Sequence, residues 1–269
     1  MKNVLPFFIL ALFAFACTDG QKKSEDGAED TAEVVRSTLQ NMHMNGNIKS
    51  ITETPYTPGE DGSIGDMDSC CLEVKQYNRA GFLTTESETN NAGEEESVYS
   101  VVYSDDNKYV SGTVVEDGAE VWKRMVERDD EGEFIHALDY DTTGQVYRRH
   151  TVEERNEYDQ PVSGKTYDGD STYLGTWGWQ IIDGARAGRS WVDSAGVQLL
   201  SRIGEVNDNG WVSKVMVVSI DAETGDTTKA VETYSYDAMD DAGNWTQRTK
   251  SEDGKAVKVS KRTYEYYEE

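Results

Sequence analysis

Seven segments, at 77–83, 129–134, 140–146, 192–198, 206–212, 220–225 and 240–245, share one grammar: Asp, Asn or a close equivalent, two or three loose residues, Gly, then an apolar residue within about two positions in most copies. The acid or amide opens a tight turn by bonding to the backbone, and Gly takes the positive φ that lets the second strand leave with the right twist. Between these turns lie alternating segments, at 98–103, 211–220, 231–236 and 256–267. Where copies follow one another directly they recur every 11 to 20 residues, which predicts an all-β fold, an antiparallel meander of stacked β-hairpins.

Composition agrees once the amino terminus is set aside. From residue 17 onward there are 7 Leu, 8 Ile, 24 Val and 2 Phe in 253 residues, few enough, with a net charge of −25, to suggest disorder. Against disorder stand 15 Tyr and 6 Trp, residues that fit a pleated, half-buried sheet. The acidic balance excludes nucleic acid as a default partner, because binding phosphate requires a basic surface.

Residues 1–16 hold Lys2 and an apolar run from Val4 to Phe15 broken only by Pro6, the pattern of a secretory signal too short to span a membrane. Ala14-Phe15-Ala16-Cys17 resembles the lipobox of bacterial lipoproteins, although Ala14 stands where Leu is commonest. That resemblance implies lipidation of Cys17, cleavage before it, and a membrane partner reached through the lipid. Residues 17–29 are polar and aperiodic, a flexible tether. No Asp follows Cys17 directly, which by the same resemblance implies the outer membrane, on its periplasmic face or at the cell surface. Residues 30–269 are read as one hairpin-repeat domain, opened by a short helix over about 31–44 with Asp30 as cap and Glu33 completing a capping box. Two regions read as loops: 52–68, with Pro55, Pro58 and three Gly, and the Gly-rich stretch 164–188. Cys70 and Cys71 are adjacent, which favours two small strand residues over a strained vicinal disulfide.

The segment 233–248, with Tyr234-Ser235-Tyr236-Asp237 leading to Asp241-Ala242-Gly243-Asn244-Trp245, resembles the YD repeats of the RHS family. More loosely, 46–269 is similar to RHS-repeat-like lipoproteins of Bacteroidota, which implies side-by-side hairpins and no assigned activity. Large RHS proteins wind such repeats into a shell around a toxin, and this chain reads as far too short to enclose anything.

No motif for catalysis, a cofactor or a metal is present. With 51 carboxylates a pair at any separation is guaranteed, so paired-acid chemistry cannot be argued. His43, His136 and His150 lack partners at ligand spacing, and the acidic turns lack a complete calcium loop. The candidate ligand-binding residues are aromatic: Trp177 and Trp179 in a Gly-rich loop, flanked by Tyr173 and Trp191. Spacing of two puts Trp177 and Trp179 on one side of an extended chain, to stack on a sugar or to pack a core poor in Leu. Tyr234, Tyr236, Tyr264 and Tyr266 are read as one face of adjacent strands. The function expected is a non-enzymatic, lipid-anchored envelope protein that offers its sheet to another envelope protein. A glycan-binding accessory module is the alternative, and a hydrolase with an unrecognised site the third.

Overall fold

The computed structural model describes residues 36–59, 63–68, 72–90, 92–158 and 160–268. Cys17, Cys70, Cys71, the signal, the tether and the Asp30 capping box lie outside them. The elements are α1 (Thr38–Asn41), β1 (Ile48–Pro58), β2 (Ile64–Met67), β3 (Leu72–Tyr77), β4 (Leu83–Thr89), β5 (Glu95–Tyr103), β6 (Tyr109–Glu116), β7 (Ala119–Arg128), β8 (Phe134–Tyr140), β9 (Val146–His150), β10 (Glu154–Arg155), β11 (Pro161–Asp168), β12 (Tyr173–Ile182), β13 (Ala185–Asp193), β14 (Gln198–Val206), β15 (Val212–Ile220), β16 (Thr227–Met239), β17 (Trp245–Glu252) and β18 (Lys255–Tyr266).

The turns form as their sequence dictates. At Asn78 the side-chain Oδ1 accepts from the amides of Ala80 and Phe82, both at 3.0 Å, and Gly81 follows at φ +82°. Asp129, Asp141, Asp193 and Asn207 repeat the arrangement. Three tighter Asp-Gly turns, at 117–118, 183–184 and 253–254, have positive φ at both residues, the mirror-image turn that matches strand twist. The grammar of longer turns had missed these.

Neighbouring hairpins pair in sequence, and the meander closes on itself. Sixteen strands form an antiparallel barrel in which β18 returns to β1, β1 pairs with β3, and β9 pairs with β11 across the short β10. The seam runs from Ile48 opposite Tyr266 to Tyr56 opposite Val259. Closure leaves the wall without a free edge. It also overturns the expectation that the chain is too short to enclose anything, since the barrel encloses a cavity of small-molecule size.

Among the described residues, most of both presumed loops is strand. Pro55 sits in β1 opposite Ser260 of β18, past Glu53–Glu73, where the β1–β3 register ends, so its missing N–H costs no bond on that side. Gly164, Gly175, Gly178 and Gly188 lie within β11, β12 and β13, where a side chain would collide: at Gly164 with Thr151 and Trp177, at Gly175 with Val192 and Trp191; Gly169 and Gly184 stand at the turns. The helix is shorter than expected. It is one turn capped by Ser37, whose hydroxyl accepts from the amide of Gln40 while Gln40 accepts from the amide of Ser37.

That turn belongs to a strap, residues 36–47, laid across one end of the barrel. Arg36 donates to the carbonyl of Asp183 at 2.8 Å, on the far side of the ring from β1, where the strap ends. In between, the carbonyl of His43 accepts from Trp211, and Asn45 exchanges two bonds with the side chain of Asn244, which is fully buried. Leu39 packs with Ile48, Ile51 and Tyr77 beneath the strap, one of two small apolar clusters; the other is Leu199 and Leu200 with Trp191.

Candidate functional site

Alternation along each strand sends one set of side chains into the lumen, and here that set is charged and aromatic. The cavity beneath the strap has a volume of about 960 Å³, and nine of the chain's twelve arginines line it together with Lys108. No Asp or Glu is among its lining residues within the described chain. A protein of net charge −25 thus turns most of its guanidiniums inward.

Five of these arginines fall into two groups. At the seam, Glu53 takes Arg262 Nε at 2.8 Å and Arg248 Nη2 at 3.3 Å, and Arg262 lies 3.8 Å above the ring of Trp245. Burial would raise the Glu53 carboxyl, but the charges of Arg262 and Arg248 and a hydrogen bond with Ser260 outweigh it and hold the pKa at about 2. On the opposite wall Arg124 binds Asp139 through two bonds, 2.6 and 2.8 Å, and His150 sits 3.0 Å from the same carboxylate. Asp139 is 3% exposed; burial raises its pKa, but His150 and Arg124 bring it below the ordinary value. With the Thr166 hydroxyl on its other nitrogen, His150 is held on both sides, and Thr166 is itself buried, at 2% exposure. Further down, Glu73, Lys75 and Glu86 form a compact cluster. Burial and a hydrogen bond with Glu73 raise the Glu86 carboxyl to about 7.

Arg186 and Arg189 form the second group. Both lie on β13, water-accessible within the lumen, and among the described residues neither has a carboxylate partner. Arg186 lies 4.7 Å above the ring of Trp179. Arg189 stands opposite Trp179 on β12 and opposite Arg202 on β14, a like charge. Arg202 is neutralised by Glu232 at 2.5 Å, whereas Arg189 is not. Burial lowers the pKa of both guanidiniums.

Three of the four aromatic candidates gather here, on strands and not on a loop. Trp177 pairs with Trp191 across β12 and β13, next to the Trp179–Arg189 pair, and all line the lumen. Gly164 and Gly175 leave the space that the indoles of Trp177 and Trp191 occupy against the wall. Trp177 Nε1 is buried without a hydrogen-bond partner. Tyr173 parts from them: it packs on Tyr167 at 5.8 Å, bonds Thr176, and is absent from the lumen lining. The tyrosine face also needs correction, because β17 separates β16 from β18, with Arg248 opposite Tyr236 on one side and Ser260 on the other. Sequence reasoning missed the arginines altogether. Their only signal is position within alternating strands, and a register irregularity near Gly188 puts Arg186 and Arg189, three apart, on the same side.

The exterior is of another kind. Lys49–Glu265 and Glu205–Lys214 pair at 3.2 and 2.7 Å on the outer wall, and Thr249 bonds Asp237 there. Among the described residues no group of three or more His, Cys, Asp or Glu is arranged to hold a metal.

Fold and site together define a closed antiparallel β-barrel with a cationic, aromatic lumen and an outer wall on which ion pairs alternate with exposed apolar residues such as Ile203 and Met216. A crystal structure of a porin-like protein from Bacteroides uniformis shares this fold, with a TM-score of 0.51 at 13% identity over 82% of this chain and 99% of that one. A crystal structure of TcdB2–TccC3 aligns with 80% of this chain and 16% of its own, at 12% identity and a TM-score of 0.19, too low to bear on the fold. No protein-family model matches the chain, and no curated protein does.

Proposed function

We propose that this is a non-enzymatic binding protein of the cell envelope, anchored through Cys17, with its barrel standing in water beside the membrane and its ligand taken into the lumen. The observation that carries the reading is the division of the wall. A spanning barrel needs a continuous apolar outer band roughly 25 Å tall, whereas the outward row Thr52–Thr263 and Thr54–Lys261 at the seam is hydrophilic, and exposed apolar residues such as Ile203 and Met216 are interrupted by the Glu205–Lys214 ion pair. Nearly all the chemistry faces inward, into a cavity at the upper end of ligand-pocket size. Envelope location is supported by the lipobox-like signal and is compatible with the porin-like neighbour. Lumenal binding replaces the flat sheet face as the mode of recognition and keeps Trp177, Trp179 and Trp191 as contact residues.

Fractionation of cells expressing wild type and Cys17→Ala tests the placement. The wild type should partition with membranes and the variant should be released as a folded, water-soluble barrel. A variant that still requires detergent contradicts the reading.

A further inference from the structure

The second group of arginines goes further, to the class of ligand. Other guanidiniums of this lumen are held by protein acceptors: Arg124 by Asp139, Arg262 and Arg248 by Glu53, and Arg36 and Arg128 by backbone carbonyls. Arg186 and Arg189 break that rule side by side on one strand. A neighbouring donor repeats the theme, since Trp177 Nε1 is buried without an acceptor. What this wall lacks is an acceptor carrying negative charge. A guanidinium matches a planar carboxylate through two parallel bonds. The same wall offers the indoles of Trp177 and Trp191, seated over glycine backbone, and indole faces stack on rings.

We propose that the part of the lumen walled by β12 and β13 binds a sugar acid, with its carboxylate on Arg186 and Arg189 and its ring on Trp177 and Trp191; this rests on the reading that the lumen is the ligand site. Neither arginine holds a structural partner that its loss would strand, so variants at these positions keep the fold.

Tryptophan fluorescence and calorimetry on the full barrel, with trigalacturonate, neutral galactotriose and citrate as probes, decide it. Trigalacturonate should quench saturably and bind at least tenfold more tightly than either other probe. Arg186→Gln/Arg189→Gln should weaken it at least tenfold with Tm unchanged, and Arg189→Lys should weaken it less. Galactotriose binding equally well and indifferent to the arginines would overturn the acidic assignment and leave the lumen as a sugar site. Citrate binding equally well and indifferent to Trp177→Leu would overturn the ring contact and leave an anion site. If no probe binds while iodide still reaches the lumenal tryptophans, the sugar-acid proposal falls and an accessible lumen survives. If iodide cannot reach them either, the lumenal reading falls as well.

Discussion

Two arcs of one wall use the same side chain to opposite ends. At the seam of β17, β18 and β1, the guanidiniums of Arg248 and Arg262 are closed onto Glu53 and Trp245. On β13, Arg186 and Arg189 are left open beside an indole pair, with no carboxylate among the described residues. The first arrangement joins the two ends of the chain. Glu53 and Arg262 stand opposite each other in the closing register, 209 residues apart in sequence. The second stacks Arg186 on Trp179 but closes onto no protein carboxylate among the described residues, so both guanidiniums stand open to what enters the lumen. The difference separates cations that hold the barrel from cations that serve a ligand.

The sharpest way to break the comparison is to remove one member from each arc. Glu53→Ala leaves two guanidiniums facing each other at a buried seam, and urea unfolding should show a loss of about 3–5 kcal/mol. Arg189→Ala should leave stability unchanged or raised, because it relieves repulsion with Arg202. Equal losses at both positions would erase the distinction.

Acid titration is expected to act on the same arc, and somewhat less strongly. The Glu53 carboxyl is held at about 2 against an ordinary 4.5, so its contribution is complete above 4.5 and disappears as pH falls toward 2. The shift corresponds to about 3 kcal/mol at most. Tm measured from pH 5 to pH 2 should fall more steeply in the wild type than in Glu53→Gln. Parallel curves would show that the seam pair contributes nothing.

Smaller again is the strap that roofs both arcs. Asn244 receives the amide of Asn45 at 2.7 Å and donates to its carbonyl at 2.9 Å, and it also bonds Tyr266. Asn244→Leu leaves these buried groups unsatisfied and should cost about 1–3 kcal/mol, with amide exchange accelerated at 36–47. Protection unchanged at Asn45 would contradict the strap's attachment.

The residues that make the turns were legible in the sequence because turn chemistry is local: an Asn78 or Asp193 side chain and a Gly three positions on need no distant partner. Asn244 shows the limit of that legibility. It sits in the segment most like a YD repeat, yet its partner is Asn45, 199 residues away. Pro55 and the glycines of 164–188 were misread because a local breaker signal cannot report that register ends at Glu53 or that an indole occupies the space over Gly164. The inward arginines were hidden for another reason. Both faces of the wall are polar, so alternation gives two faces without saying which is inside, and total charge averages an acidic exterior with a cationic interior. The three tryptophans were picked out by spacing alone; only closure of the barrel turns them toward Arg186 and Arg189.

The central claim is that the interior attracts anions although the molecule is strongly acidic. Collisional quenching of tryptophan tests it directly, since Trp177, Trp179 and Trp191 line the lumen and Trp211 and Trp245 are buried beside it. At matched ionic strength, iodide should quench the accessible fluorescence more efficiently than caesium, and Arg186→Gln/Arg189→Gln should narrow the gap. Caesium quenching as well as iodide or better, as a net charge of −25 alone would dictate, would contradict the account.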